Sequence, residues 1–190
     1  LLKELYNKDL LFESISIQPY SPAAGTGLSS HELNQPGTYK EVKDTSCVAM
    51  FKAVRDEQSA FLFKAADQPA AEIFFLAWTT TPWILPSNLG LTVGAQIDYV
   101  LLQTFNPYTH LLVNVVLARS LVGKYFKAED EHGDFAGYGP SSKSLPWKTL
   151  LSFQGTDIAE CRYEQLIPTE AGSLVNIRQI TPGADPFRVV

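Results

Sequence analysis

Residues 73–88 constrain the fold more than any other part of the chain. The segment begins with six consecutive apolar residues, Ile73 to Trp78, continues with three threonines and reaches a proline at position 82. A continuous apolar run of this length indicates a buried strand. Proline cannot donate to a sheet ladder, and it favours an extended conformation in the residue before it. We therefore expect a strand that ends at Thr79–Thr81, with hydroxyl groups and unpaired backbone groups at its end.

The end of this strand has the chemistry of a ligand site. Thr79, Thr80 and Thr81 carry hydroxyl groups, and the tryptophans Trp78 and Trp83 flank them. This mixture suits a small polar ligand that has an apolar part. A purely structural interpretation also fits, because threonine is a good strand former and tryptophan next to proline commonly anchors a loop.

Length and composition describe an ordinary globular chain. Its 190 residues predict one domain, or one domain with an appendage, and 45% of them are hydrophobic. The net charge of −5 argues against a protein that grips a nucleic-acid backbone, which usually needs a basic face. A domain that touches only the end of an RNA needs less positive charge.

Cysteine usage and hydropathy indicate a cytoplasmic chain. The two cysteines, Cys47 and Cys161, form neither a CxxC pair nor a disulfide framework, which fits a reducing compartment. No signal peptide and no apolar run near the length of a membrane span occurs, so we expect no membrane contact. Because the chain begins at Leu1, we expect it to be a piece of a longer protein.

Hydrophobic periodicity predicts mainly strands after a first, turn-rich part. Residues 1–13 predict a short helix, residues 15–18 a short strand, and residues 19–38 turns. From Asn114, a plausible N-cap, apolar residues at helical spacing predict a second helix through Phe126. Residues 127–149 are polar and irregular and predict an exposed insertion. Further strands are expected at residues 46–54, 89–93, 98–105, 109–113, 150–153, 174–180 and 185–190.

Other short patterns are too weak to indicate chemistry. The Gly25-Thr26-Gly27 turn lacks the lysine and the spacing of a phosphate loop. His31, next to Glu32, is far more typical of a solvated surface pair than of a catalytic one. His132 and Asp134 have no further ligands nearby in the sequence, so we predict no metal site.

Three segments resemble one enzyme family. Residues 78–88 read Trp-Thr-Thr-Thr-Pro-Trp-Ile-Leu-Pro-Ser-Asn, which resembles the threonine-rich signature of the editing domain of isoleucyl-tRNA synthetases. Residues 20–29 and 155–168 are similar to the same family and occur in the family's order. The related leucine and valine enzymes typically read Thr-Thr-Arg-Pro at this place, so Thr81 and Trp83 favour the isoleucine family.

The resemblance implies a mainly β fold, a β-barrel-like editing domain with peripheral helices and a β-ribbon. Residues 1–45 would be the segment and ribbon that connect to the catalytic core. Residues 46–190 would be the editing barrel, with an exposed insertion near 127–149 and a truncated C-terminal end. The implied function is hydrolysis of valyl-tRNA(Ile), in an enzyme that ligates isoleucine to tRNA(Ile) with ATP. Isoleucine and valine differ by one methylene, and they are the standard example of a poorly discriminated pair. One methylene changes the free energy of binding in a hydrophobic pocket by only about 1–3 kcal/mol.

The resemblance also assigns roles to residues. Thr79–Thr81 would contact the aminoacyl ester and the terminal ribose as catalytic residues, and Asn88 would position substrate or water. Trp83 and Ile84 would bind substrate as the wall of the pocket. Ile84 departs from the family, where threonine is commoner, so it either reshapes the pocket or points into the core. Glu160 stands where the family usually has glycine, which leaves the backbone geometry there uncertain.

The implied partners are the acceptor end of tRNA(Ile) carrying valine and the rest of the synthetase chain, in a monomer. No cofactor is expected here, since ATP and Mg would bind the separate catalytic domain, whose His-Ile-Gly-His and Lys-Met-Ser-Lys-Ser signatures are absent from the sequence. The family's Gly-Thr-Gly-x-Val-His segment, which supplies a histidine and is followed by an aspartate, does not occur before Val190 either. Two alternatives therefore stay open: a non-catalytic module that binds the aminoacylated RNA end, and an unrelated β-rich interaction domain.

Overall fold

The computed structural model describes residues 1–66, 72–168, 177, 181 and 183–190. The chain divides into two compact units, Leu1–Asp44 and Thr45–Val190. The described strands are β1 (Tyr20–Ser21), β2 (Thr26–Gly27), β3 (Cys47–Lys52), β4 (Ile73–Thr79), β5 (Gly90–Leu91), β6 (Asp98–Phe105), β7 (Leu112–Ala118), β8 (Lys148–Gln154) and β9 (Arg188–Val189). The described α-helices are α1 (Leu2–Asn7), α2 (Ser30–Leu33), α3 (Ala60–Ala65), α4 (Val122–Tyr125) and α5 (Gly155–Ile158), and 3₁₀ turns cover Pro82–Ser87, Arg119–Leu121 and Ala128–Asp130.

The first unit is built from short elements without a core. The predicted helix over residues 1–13 is wrong in length, because α1 ends at Asn7 and Asp9 has a positive φ of 55°. The predicted strand at residues 15–18 does not form, and Ile15 and Ile17 are 98% and 99% exposed. Strands need a partner, and here only β1 and β2 pair, as a two-residue hairpin.

The second unit is organised by a five-stranded sheet with the order β3-β4-β7-β6-β8. Its β4–β7 pair is parallel, and the other three pairs are antiparallel. A smaller sheet pairs β5 with β9 in parallel. The expected closed barrel is not seen in the described part of the chain, where β3 and β8 end the sheet as edges. The fold is therefore mixed, with strands more extensive than helices.

Apolar side chains cover both faces of this sheet. One face carries Phe51, Ile73 and Phe75, and α3 and α5 contribute to the same core. The other face carries Val100, Leu102, Val113, Val115 and Leu117, with Phe126 and Trp147 packed on them. The alternation predicted for residues 46–54 is confirmed, since Ala49, Phe51 and Ala53 are the buried set.

The helix predicted from Asn114 is wrong. Residues 112–118 form β7, and Asn114 lies 2% exposed within the sheet, where its Oδ1 accepts from Gln103 Nε2 at 3.4 Å. The helical segment that does form is only Val122–Tyr125. The valines at 113, 115 and 116 are β-branched and buried on both faces of the sheet, and such a run cannot be told from a buried helix by periodicity.

The remaining predicted strands vary in accuracy. The strand at 98–105 is confirmed with its bounds, and the strand expected at 150–153 begins earlier, at Lys148. Those expected at 89–93 and 185–190 shrink to Gly90–Leu91 and Arg188–Val189. The strand predicted at 174–180 lies outside the described residues except for Ile177.

The predicted insertion at 127–149 is irregular, but it is anchored at its ends. Trp147 is 6% exposed, and its Nε1 donates to the Lys127 carbonyl at 2.8 Å. Asp130 is 9% exposed, and its carboxylate accepts from the Leu145 amide. The insertion is therefore tied to the core rather than exposed throughout, which its polar composition does not indicate.

Glu160 follows α5 in a backbone conformation that favours glycine. Its φ is 68°, in the left-handed region, and its carboxylate pairs with the Arg188 guanidinium. A residue with a Cβ is strained there by on the order of 1–3 kcal/mol. The uncertainty raised by this departure from the family is thus resolved: the glycine-type geometry is kept without the glycine.

We expect Glu160→Gly to be more stable than Glu160→Ala by about 1 kcal/mol. Both variants lose the ion pair with Arg188, so their difference reports only the backbone conformation. Urea unfolding followed by circular dichroism measures it. An alanine variant as stable as the glycine variant would show that residue 160 is not held at positive φ in solution.

Candidate functional site

The threonine stretch lies where β4 leaves the sheet. Thr79 is the last residue of β4 and pairs with Cys47 of β3, and a 3₁₀ turn begins at Pro82. On its other side β4 pairs with β7 only through residues 73–75. Beyond that point the two parallel strands diverge, and a cavity of about 250 Å³ opens between them. Thr80 is exposed and Thr79 and Thr81 are half-buried, so the end of β4 is accessible, as the proline predicted.

The hydroxyls of Thr79 and Thr81 form one hydrogen-bonded unit. Thr79 Oγ1 accepts from the Thr81 amide at 3.0 Å and lies 3.2 Å from Thr81 Oγ1. The pair carries two hydroxyl hydrogens, and its mutual bond uses one of them. The other hydrogen can be donated to a ligand oxygen. Thr80, between them, is exposed.

Asn88 is held by the protein through both ends of its amide. Its Nδ2 donates to the Gly90 carbonyl at 3.0 Å, and its Oδ1 accepts from the Tyr163 hydroxyl at 2.5 Å. Tyr163 is 2% exposed, and burial raises the pKa of its hydroxyl to about 12. The partner Tyr163 was missed by the sequence analysis, although it lies in the family-like segment at 155–168. Asn88 therefore joins the turn after β4 to the core, and one hydrogen of its Nδ2 remains for a ligand.

Trp83 and Ile84 project from the 3₁₀ turn. They are 66% and 55% exposed, so Ile84 does not point into the core. The Ile84 amide donates to the Thr81 carbonyl at 3.1 Å, which fixes the turn against the threonine stretch. Two large apolar side chains in water next to a row of hydroxyls can form one wall of a binding site.

Trp78 connects the threonine stretch with a larger cavity that the sequence analysis did not find. This cavity of about 650 Å³ lies on the face of β3 and β4 that carries Met50 and Trp78, and α4 contributes Lys124 and Tyr125. Thr79–Thr81, Trp83, Ile84 and Asn88 line neither this cavity nor the smaller one. The structure thus brings the predicted residues together in one turn, but outside the two cavities.

The residues that the structure describes contain no group of three or more histidine, cysteine, aspartate or glutamate side chains placed to hold a metal ion. Their helices are also too short and too polar for any of them to cross a bilayer.

The chain is similar to isoleucine–tRNA ligases. It is 54% identical over 190 residues to the ligase of Cytophaga hutchinsonii, 48% over 191 residues to that of Porphyromonas gingivalis, and 45% over 190 residues to that of Bacteroides fragilis. Each match covers 100% of this chain and 15% of the relative. The chain therefore spans about 15% of the length of these relatives. No protein-family model matches it.

Thr79→Val should lower the free energy of unfolding by about 1 kcal/mol, because the Thr81 amide loses its acceptor while the shape of the side chain is kept. Thr80→Val is the matched control, since Thr80 is exposed, and it should stay within about 0.5 kcal/mol of the parent chain. Urea unfolding midpoints measure both. Equal effects of the two substitutions would refute the hydroxyl–amide bond.

Stability should fall as the pH rises from about 9 to about 12. The pKa of the Cys161 thiol is raised by burial from 9.0 to about 12, and that of Tyr163 from 10.0 to about 12. Between the lower and the upper value the unfolded chain loses a proton that the folded chain keeps, so alkali favours unfolding.

The variant Tyr163→Phe should flatten this fall between pH 10 and about 12 and leave the part due to Cys161. Tyr108→Phe is the control, because that ring is 90% exposed. The quantity measured is the slope of the unfolding free energy against pH. The slope is used because loss of the bond to Asn88 also lowers the unfolding free energy at every pH. An unchanged slope in Tyr163→Phe would contradict the raised pKa.

Proposed function

The chain belongs to the isoleucine–tRNA ligase family, and we propose that it is the segment of such a ligase that removes wrongly attached valine by hydrolysing valyl-tRNA(Ile). The observation that carries the proposal is the hydrogen-bonded pair of Thr79 and Thr81 at the accessible end of β4, within the string 78–88. A ligation site discriminates poorly against a side chain that is one methylene smaller, so a second, hydrolytic site is chemically required.

The proposed step is attack of water on the ester carbonyl carbon. The bond from that carbon to the ribose oxygen breaks, the ribose oxygen takes a proton, and valine and tRNA with a free hydroxyl are the products. Charge develops on the carbonyl oxygen, and a donor fixed in advance at that position lowers the barrier. The free hydroxyl hydrogen of the Thr79–Thr81 pair is such a donor, because the Thr81 amide fixes the orientation of Thr79. Thr80 would contact the ribose, and Asn88 would place water or substrate with its remaining hydrogen.

The remaining parts of the proposal concern the pocket and its surroundings. Trp83 and Ile84 would bind the valine side chain and exclude isoleucine, which fits their exposed position beside the threonines. The sheet would belong to a barrel-like editing domain, since the described edges β3 and β8 could pair with further strands.

The partners follow from the reaction. We expect the valine-bearing acceptor end of tRNA(Ile) and the rest of the ligase as partners, in a monomeric enzyme of the cytoplasm, where charged tRNA is used. Ester hydrolysis by water needs no cofactor in this chain. ATP and Mg would serve the ligation reaction in a separate catalytic domain.

A second candidate function is binding of the aminoacylated RNA end without chemistry. It is favoured by the absence of any histidine or carboxylate from residues 78–88, and by the internal engagement of Asn88. Under this alternative the groups that move protons lie elsewhere in the ligase.

Release of valine from valyl-tRNA(Ile) tests the proposal, in an isoleucine–tRNA ligase that carries this segment. The double variant Thr79→Val, Thr81→Val should slow hydrolysis by about 100-fold, the usual cost of one oxyanion donor, because a single valine would leave the other hydroxyl with a free hydrogen. Isoleucine activation by ATP should not change, which shows that the ligase remains folded. Thr149→Val on β8 is the matched control, because it removes an exposed threonine hydroxyl from another strand.

Hydrolysis at the parental rate in the double variant Thr79→Val, Thr81→Val would overturn the assigned role. The 190-residue chain alone separates the two candidates. Valine release by the chain would favour hydrolysis by its own residues, whereas binding of valyl-tRNA(Ile) without release would favour the binding module.

A further inference from the structure

The larger cavity has a composition that the proposed reaction does not use. It occupies about 650 Å³ on the face of β3 and β4 opposite Thr79, since successive side chains of a strand alternate. Its lining includes five aromatic residues, Trp78, Phe105, Tyr108, Tyr125 and Phe126. Trp78 is 54% exposed and Tyr108 is 90% exposed, so both rings offer surface to a ligand.

In the part of the chain that the structure describes, Lys124 is the one charged residue in the lining of this cavity. Its Nζ lies 5.0 Å from the centre of the Trp78 ring and 5.7 Å from that of Tyr125. The ion pairs found among the described residues do not include Lys124, and no carboxylate lines the cavity. An ammonium group has three hydrogens to donate, and the ring faces satisfy it only by a cation–π contact. A ligand with an anionic oxygen would complete this site.

Aromatic faces beside one cation match the chemistry of an unpaired nucleotide. Single-stranded nucleic acids bind where bases stack on aromatic side chains and phosphates meet Lys or Arg. We propose that this cavity binds an unpaired nucleotide of RNA, with its base against Trp78 and its phosphate at Lys124. The source of that RNA rests on the proposed function, in which the terminal ribose lies at Thr79–Thr81. The nucleotide at Trp78 would then lie across the end of β4 from the terminal one.

The net charge of the chain predicts how nucleotide binding depends on salt. With a net charge of −5 and one cation in the lining, phosphate attraction contributes little, and stacking supplies most of the affinity. The salt dependence of binding should therefore be shallow, with a slope of about −0.7 for one phosphate contact.

Titration of the 190-residue chain with the RNA tetranucleotide ACCA, followed by tryptophan fluorescence, tests the site. Lys124→Met should abolish the salt dependence and weaken binding at low salt. Trp78→Leu should weaken binding roughly 5- to 150-fold at every salt concentration, the range of one lost stacking contact. Because Trp78→Leu removes a reporter, its affinity is measured by NMR titration.

Lys127→Met is the matched control, since Lys127 is exposed on the same segment and pairs with Glu129. It should bind the tetranucleotide like the parent chain. An equal loss in Lys127→Met and Lys124→Met would indicate diffuse attraction and overturn the proposal. Parental affinity in both Lys124→Met and Trp78→Leu, with unchanged melting temperatures, would also overturn it. If inorganic phosphate at equal concentration displaces the tetranucleotide, the site binds only an anion. That result would refute the proposed nucleotide site.

The outcome of this test is independent of the outcome of the valine-release assay. Binding that depends on Lys124 and Trp78, in a ligase that does not hydrolyse valyl-tRNA(Ile), would support the nucleotide site and refute the proposed reaction. Hydrolysis with tetranucleotide binding that is indifferent to Lys124 would do the opposite.

Discussion

The short parallel pairing of β4 with β7 is the contact on which the second unit depends. At residues 74–75 strand β4 is paired with β3 on one side and β7 on the other, and Ile73 and Phe75 are 0% and 4% exposed there. Burying two such side chains contributes on the order of 3–6 kcal/mol. Four residues later the same strand is paired on one side only and carries hydroxyl groups. Burial at one end of β4 therefore holds the accessible other end in place, which is how a rigid strand can present a reactive turn.

One residue distant in sequence and one local residue secure that turn. Tyr163 reaches Asn88 from the core, and Thr79 holds the Thr81 amide within the turn itself. Both bonds occupy polar groups that the family resemblance assigns to substrate. A group can serve both purposes, because a hydroxyl pair and an amide each keep one hydrogen after their internal bond is made. The internal bonds fix the direction of the hydrogens that remain, and such fixed donors are what transition-state stabilisation needs.

Sequence reasoning found the parts that local rules determine. Pro82 and the threonines marked the end of β4, and the alternation of residues 46–54 marked the buried face of β3, because proline chemistry and strand period act within a few residues. It failed where tertiary context decides. Asn114 was assigned to a helix cap, but a buried partner, Gln103, holds it in the sheet. Tyr163 could not be connected to Asn88, because nothing within one sequence indicates a contact across 75 positions.

The error at Asn114 also concealed the larger cavity. A helix from 114 to 126 would have carried Lys124 and Tyr125 on a continuous rod lying over the sheet. Because residues 112–118 pair as β7 instead, the chain turns only at Arg119–Leu121, and the single turn of α4 sets Lys124 above Trp78. The β-branched run that buries the centre of the sheet is therefore also what places a cation beside the threonine strand. Substitutions that lower strand propensity at 113–117 would displace that cation first, since α4 is a single turn that is not stable by itself.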